Sequence, residues 1–157
     1  MGVARPPLVV VVHAGRVGRV CAQAIVARDG AADAGARSHL VAAAELGDAQ
    51  WELLAEADGI LFGTTLPQVL GRVDWLGKPA AGFVAPGADA RERLDELAAF
   101  AAEGLGMCWI GPAGPPGRFA GPGPDPVLDA VRRLGSRMAR MARLAGAAPV
   151  GAPGGVS

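Results

Sequence analysis

The feature that most constrains this chain is a run of five apolar residues that leads directly into a loop with two glycines. The run covers residues 8–12, LVVVV, and Gly15 and Gly18 follow it in the segment HAGRVGRV. A short β-branched run without polar alternation is typical of a strand buried on both faces, as in the middle of a parallel sheet. Apolar residues then recur at helical spacing as far as Ile25, so the stretch predicts a strand, a loop and a helix in succession.

The loop of this unit lies where the predicted strand ends and the helix begins. Free backbone N–H groups and the positive end of the helix dipole meet at such a corner, which suits it to an anion, usually a phosphate. His13 stands at the end of the strand, where it is a candidate phosphate contact, acid or base. The sequence therefore predicts an anion site at the first strand–helix corner.

Four further segments are predicted to be strands, and helical patterns separate most of them. These strands cover residues 37–41, 60–62, 80–85 and 107–110. Helices are predicted over residues 17–29, 89–103 and from 126 onwards, with a looser connection at 30–35 and a loop plus a helical turn at 42–57. The arginines of the last helix are expected to form its solvated face, around a buried apolar stripe. Strands that alternate with helices indicate a parallel sheet with helices on both faces.

The length of 157 residues corresponds to one domain. Five strand–helix units fit a flavodoxin-like three-layer α/β sandwich, with a five-stranded parallel sheet of order 2-1-3-4-5, better than a six-stranded dinucleotide fold. The domain is expected to span residues 1–146, and residues 147–157 are expected to form a disordered tail. Ligands would bind outside the carboxyl ends of strands one, three and four, where the strand order reverses.

Composition excludes several classes of function. The chain has 15 basic and 15 acidic residues, so a nucleic acid or another polyanion is not expected as its partner. No apolar run approaches the ~20 residues of a membrane span, and no signal peptide is visible, so we expect a cytoplasmic protein. Two histidines and two cysteines are scattered without metal-ligand spacing, and both cysteines are expected to be buried thiols. The bias towards Ala, Gly, Pro and Arg suggests a bacterial, GC-rich coding sequence.

The glycine loop by itself permits a dinucleotide interpretation. The string AGRVG resembles the nicotinamide-dinucleotide loop of Rossmann domains. His13 stands where that pattern has its first glycine, and the predicted second strand, RSHLV, does not end in the acidic residue that would bind the ribose hydroxyls. This interpretation is therefore the less favoured one.

A second resemblance covers more of the chain. The segments ADGILFGTT at residues 57–65 and GKPAAGFVA at residues 77–85 resemble the flavodoxin-like NAD(P)H:quinone oxidoreductases of the tryptophan-repressor-binding-protein type. The similarity runs in the expected order from about residue 8 to residue 144. It implies the flavodoxin-like fold, FMN as cofactor, and two-electron reduction of quinones by NAD(P)H.

This interpretation assigns the site residues. The phosphate of FMN would lie on residues 15–19, where Arg16 or Arg19 pairs with it, and the ring would lie near residues 64–70. The candidate cofactor-binding residues are His13, Gly15, Arg16, Val17, Gly18, Arg19, Thr64, Thr65, Leu66, Pro67, Trp75, Pro86 and Gly87. His13 and Asp74 are the candidate catalytic residues.

Two departures from the family support an alternative. Residues 15–19 contain no Ser or Thr hydroxyl, and the connection between residues 65 and 77 is much shorter than in the family. The same fold without flavin could bind a small molecule in this cleft, for non-redox chemistry or as a binding module. In either case we expect a small-molecule ligand and a homo-oligomer, with a dimer favoured.

Overall fold

The described chain contains five strands and four helices, which alternate except between the third and fourth strands. The computed structural model describes residues 5–14, 19–66, 73–112 and 126–147. The strands are β1 (Leu8–His13), β2 (Arg37–Ala42), β3 (Gly59–Phe62), β4 (Pro79–Gly82) and β5 (Cys108–Pro112). The helices are α1 (Arg19–Asp33), α2 (Asp48–Glu56), α3 (Ala90–Ala98) and α4 (Pro126–Ala147). A 3₁₀ turn (Ala43–Glu45) precedes α2, and a π-helical segment (Ala99–Gly104) extends α3.

The five strands form one parallel sheet in the order β2-β1-β3-β4-β5, which confirms the predicted order. Strand β1, which lies between β2 and β3, is buried on both faces, as its apolar run predicts. Val9 and Val11 pack into the core on one face, while Leu8, Val10 and Val12 pack into the core on the other. Because no polar residue could be tolerated on either side, the run is continuous rather than alternating.

Helices α1 and α4 cover one face of the sheet and approach each other closely. A Cβ atom on Gly135 would overlap the carbonyl oxygen of Ala27, and one on Gly30 would overlap the carbonyl oxygen of Arg132. The Ser136 hydroxyl donates a hydrogen bond to the Gly30 carbonyl over 3.0 Å. The two glycines therefore allow backbone-to-backbone packing that no other residue would permit.

The opposite face carries α2, α3 and large aromatic side chains. Trp51 and Trp75 pack edge to face with ring centroids 6.5 Å apart, and Phe62 packs the same way on Phe100 at 5.7 Å. In its described part, the connection between β3 and β4 contains no helix. Aromatic and aliphatic side chains thus supply much of the core on this face.

Several predicted boundaries were wrong. Helix α1 continues to Asp33, through part of the expected loose connection, because Gly30 packs directly beneath α4. Residues 42–57 contain a complete helix, α2, whose first turn is capped by the Gln50 side chain accepting the Gly47 N–H. Strand β4 ends at Gly82 because its pairing with β5 becomes irregular there.

The expectation of two buried thiols was also wrong. Both cysteines are free; Cys21 is half-buried and Cys108 is exposed. Strand β5 lies at the edge of the sheet, so its first residue pairs with β4 on one side and has no strand on the other. His39 of β2 is exposed, as predicted, and so are the arginines of α4.

Two further searches cover the described residues only. None of their helices combines the length and the apolar character needed to cross a membrane. The same residues contain no group of three His, Cys, Asp or Glu side chains placed to hold a metal ion.

Candidate functional site

A cleft of about 210 Å³ opens at the carboxyl edge of the sheet. It is lined by Ala14, Gly63, Thr64, Thr65, Val84, Arg93, Glu96 and Leu97. These residues follow β1, β3 and β4 or belong to α3, on the aromatic face of the sheet. The cleft therefore lies at the edge where reversal of the strand order predicts a ligand site.

The volume of the cleft limits what its described walls can enclose. Pockets for complete ligands are typically about 300–1,000 Å³. The value of about 210 Å³ is smaller, so these walls enclose one ring or a small molecule. Residues 15–18 and 67–72, which flank the same edge in the sequence, lie outside the described residues.

The exit from β3 is fixed by tight packing at Gly63. Its N–H donates a hydrogen bond to the Val12 carbonyl over 2.7 Å. A Cβ atom at this position would lie 2.8 Å from the Phe83 ring, closer than side-chain packing allows. The chain consequently leaves the sheet in one direction and places Thr64 and Thr65 on the cleft wall. Each hydroxyl can both donate and accept a hydrogen bond.

The exit from β4 is supported from behind by Gln23 of α1. This side chain is only 2% exposed, and its amide nitrogen donates to the Val84 carbonyl over 3.0 Å. Its Oε1 atom is buried and has no hydrogen-bond partner within the described part of the chain. Because buried amide oxygens normally accept a hydrogen bond, this atom leaves an acceptor unused next to the cleft wall.

Helix α3 contributes two charged side chains that the sequence analysis missed. Arg93 donates from Nη2 to the Ala85 carbonyl over 3.0 Å, and its Nε lies 3.3 Å from an Asp89 carboxylate oxygen. Glu96 lines the same cleft. Their spacing could have indicated this position. Residues 93, 96 and 97 lie on one side of a helix, and Leu97 on that side is buried.

The predicted phosphate corner is only partly described. His13 is half-buried at the end of β1, where it lies opposite Ala42 of β2. Arg19 is the first residue of α1. The other predicted phosphate ligands, Gly15, Arg16, Val17 and Gly18, lie outside the described residues, as does Pro67.

Pro86 and Gly87 lie in the exposed loop that leads into α3. The Gly87 carbonyl accepts the Ala90 N–H over 3.2 Å, so it helps to begin the helix. Neither residue lines the described cleft, which Val84 bounds instead. The predicted contact of Pro86 and Gly87 with a cofactor therefore gains no support from the described cleft.

Asp74 and Trp75 were expected near the ring site, and the structure places them at the opposite edge of the sheet. Just after Trp75, Gly77 donates its N–H to the Gly106 carbonyl over 2.9 Å, immediately before β4 and β5 begin. Trp75 is 6% exposed and packs on Trp51, while Asp74 is exposed and accepts the Leu76 N–H. The connection is short, so by Trp75 it has already crossed the sheet face.

Leu66 was predicted to bind cofactor, yet its side chain is 6% exposed and belongs to the core of the aromatic face. It lies directly after the two threonines of the cleft wall. Its position therefore makes it a support for that wall rather than a contact for a ligand.

Lys78, the one lysine of the sequence, has a structural role close to Asp74. Its Nζ donates to the carbonyls of Ala57 over 2.6 Å and Ala55 over 3.2 Å, at the carboxyl end of α2. Burial lowers the pKa of its ammonium group, and the negative charges of Asp58 and Asp74 partly offset that effect. A lysine at this position caps the helix and interacts favourably with its dipole.

Comparisons with known proteins support the fold. No protein-family model matches the sequence, and no curated protein sequence matches it. A flavodoxin from the domain Archaea superposes with a TM-score of 0.61 at 17% identity, covering 86% of this chain and 98% of that one. A WrbA-like flavodoxin from Agrobacterium tumefaciens gives 0.59 at 24% identity, with 89% and 99% covered. The two-electron-reduced flavodoxin of Megasphaera elsdenii gives 0.57 at 19%, with 82% and 98% covered.

The chain has the flavodoxin-like fold. Each of these proteins is matched over nearly its whole length, so the similarity extends across the complete sheet and its helices. Because these identities are below 25%, the similarity supports the fold and no particular activity. The activity of this flavodoxin-like chain has to be argued from its own cleft.

Proposed function

We propose that the carboxyl-edge cleft binds FMN, and that this flavodoxin-like protein is a redox protein that reduces quinones with NAD(P)H. The observation that carries the proposal is the convergence of Ala14, Thr64 and Val84, which follow three different strands, at the point where the strand order reverses. The similar structures described as flavodoxins give it further support.

The donor set of the cleft fits one end of a flavin ring. Val84 and Leu97 offer apolar surface to a flat ring, while Thr64 and Thr65 offer hydroxyls to its polar edge. The unused acceptor of Gln23 lies behind the Val84 wall, where a bound group or an ordered water would satisfy it. Among the described lining residues there is no aromatic side chain, so aliphatic surface would have to contact the ring.

The phosphate of FMN is assigned to the first strand–helix corner. Helix α1 begins at Arg19 and runs for 15 residues, so its amino-terminal N–H groups and dipole favour an anion before Arg19. Arg16 and Arg19 supply guanidinium groups to this segment of the sequence. Backbone N–H groups and arginine would then replace the hydroxyls that residues 15–19 lack.

The chemistry would be that of the cofactor. When bound, FMN would supply two-electron transfer between NAD(P)H and a quinone. In the overall reaction a quinone gains two electrons and two protons, one proton arriving with the hydride of NAD(P)H and the other from solvent. The residues of the cleft would bind and orient the ring, and His13 is retained as a candidate contact at the end of β1. We also propose a homodimer, which the molecular mass in solution will test.

The direct test is the spectrum of the purified protein and its response to added FMN. A yellow protein, or stabilisation by about 2.7 kcal/mol at an FMN concentration 100 times the Kd, would support the proposal. Thr64→Val removes a hydroxyl from the cleft without changing its size and should weaken FMN binding several-fold. Asp74→Asn, at the opposite edge, is the matched control and should leave the Kd unchanged. A colourless protein that does not respond to FMN would refute the proposal.

A second candidate is a flavin-free cleft that binds a small molecule. The volume of about 210 Å³ and the lack of an aromatic side chain among the described lining residues favour it. It predicts a colourless protein that FMN does not stabilise. Stabilisation by NAD alone would instead support the dinucleotide interpretation of the glycine loop.

A further inference from the structure

We propose that Arg93 and Glu96 together recognise the imide edge of the flavin ring, the sequence of carbonyl, N–H and carbonyl at its pyrimidine end. This inference rests on the proposed function and names the residues that give the cleft its ligand specificity. Both side chains line the cleft and both belong to α3. Residues three apart on a helix lie on the same side, so the two can act on one ligand edge.

Arg93 is held in place, but not all of its N–H donors are used. Its Nη2 donates to the Ala85 carbonyl, and its Nε is buried near Asp89 without a hydrogen bond within the described part of the chain. A guanidinium group carries five N–H donors in a rigid plane, so several remain for a ligand. The side chain is 40% exposed, which leaves that plane accessible from the cleft. Arg93 is thus a pre-oriented donor to a carbonyl oxygen.

Glu96 supplies a hydrogen-bond acceptor, where Arg93 supplies donors. An ionised carboxylate is an acceptor only, so it can bind an N–H group but not a carbonyl. Within the described residues Glu96 forms no ion pair with Arg93. Arg93 pairs with Asp89 rather than with Glu96, so the donors of Arg93 and the acceptor of Glu96 face one cleft side by side, and a ligand with an adjacent acceptor and donor would bridge them.

An imide edge has this alternation of groups. Its carbonyl accepts from Arg93 and its N–H donates to Glu96, both as charge-assisted hydrogen bonds. The cleft of about 210 Å³ has room for one ring end, with Val84 and Leu97 as its apolar contacts. The same edge occurs in uracil, so the shared chemistry is an imide within a flat heterocycle.

The test compares FMN with an FMN analogue whose imide N–H is replaced by N–CH₃. Titration of the wild-type protein, followed by flavin fluorescence, should give an FMN Kd at least about 10-fold below that of the methylated analogue, because the analogue leaves the Glu96 carboxylate unpaired. Glu96→Ala should bring the two Kd values together, and Glu96→Gln, which keeps a carbonyl acceptor, should restore part of the difference. Arg93→Met should weaken binding of both ligands by about 10- to 100-fold.

The matched controls come from the same helix. Arg91→Met and Asp95→Ala remove the same charges from exposed positions that do not line the cleft, and they should leave both Kd values unchanged. Thermal unfolding checks that each variant is folded. Since Arg93 also holds the loop at Ala85, the exposed residue Glu96 carries the decisive comparison.

The outcomes separate this inference from the proposed function. If wild-type protein binds FMN and its methylated analogue equally, or if Glu96→Ala keeps the full difference, the inference is wrong and the proposed function stands. If wild-type protein does not bind FMN, the proposed function fails and the inference with it. Binding of uridine in the absence of FMN binding would reassign the cleft to a pyrimidine nucleobase and overturn its role in flavin recognition.

Discussion

The two faces of the sheet are covered in different ways. On one face, α1 and α4 pack so closely that glycines are required at Gly30 and Gly135. On the other face, where a connection without a described helix joins β3 to β4, Trp51 and Trp75 occupy the core. The first face is fixed by backbone contact, and the second by the volume of its side chains.

The difference has a consequence for the cleft. The cleft opens beside α3, on the face whose core consists of large side chains. Added volume should harm the close helix pair, whereas lost volume should harm the aromatic face. The following changes test that contrast, beginning with the largest expected effect.

Trp75→Ala should lower the free energy of unfolding by about 3–5 kcal/mol, because a buried aromatic ring is replaced by a cavity beside Trp51. Trp75→Phe keeps much of the side-chain volume and should lower the free energy of unfolding markedly less. Urea denaturation measures both. FMN affinity should be unchanged in the folded Phe variant, since Trp75 lies at the amino edge. A loss below about 1 kcal/mol in the Ala variant would show that this ring does not fill the core.

Gly135→Ala should lower the free energy of unfolding by about 1–3 kcal/mol, although alanine normally stabilises a helix by about 1 kcal/mol relative to glycine. The added methyl group would meet the backbone of α1, which cannot rotate away as a side chain can. Gly104→Ala is the control on the opposite face, because its nearest neighbour would be at an ordinary 3.9 Å from the new carbon. Equal effects of the two substitutions on urea denaturation would contradict the close packing of α1 and α4.

Lys78→Met should lower the free energy of unfolding by about 1 kcal/mol, because the last carbonyls of α2 lose a charged hydrogen-bond donor. The aliphatic part of the side chain is kept, so the loss isolates the cap. The measurement is again urea denaturation near neutral pH. An unchanged midpoint would mean that solvent caps these carbonyls equally well.

The pH dependence of stability should differ slightly between wild type and Lys78→Met. Burial lowers the pKa of Lys78 below the ordinary 10.5, so the unfolded chain binds the proton more tightly than the folded chain. Between the lowered pKa and 10.5 the unfolded state therefore carries more protons, and raising the pH favours folding. The wild type should gain stability relative to the variant across this alkaline window. Parallel stability curves would show that the pKa is the same in both states.

Much of the fold could be predicted from local patterns. The apolar run of β1, the strand ADGILFGTT and the stripe of α4 each carry a clear periodicity or a clear boundary, and together they yield the strand order. Helix α2 was missed because its apolar residues, Trp51 and Leu54 among them, are few. The extent of α1 was missed because Gly30 interrupts its pattern, and only the contact with α4 explains that glycine.

The site was harder to predict, because it depends on where a connection runs. Thr64 and Thr65 could be placed because they directly follow a buried strand. Asp74 and Trp75 could not, since the sequence does not reveal how quickly the chain crosses the sheet face. Arg93 and Glu96 were not predicted as site residues, because charged residues of an amphipathic helix usually face solvent, whereas these two line the cleft.

The core residues that precede β4 also limit how this chain can grow. Val73 and Trp75 already occupy the core on the sheet face that an inserted helix would need. Lengthening the chain after Thr65 would therefore require those side chains to be expelled or replaced at the same time. Descent towards a larger relative would have to proceed by coupled substitutions here, whereas the exposed loop before α3 could accept extra residues one at a time.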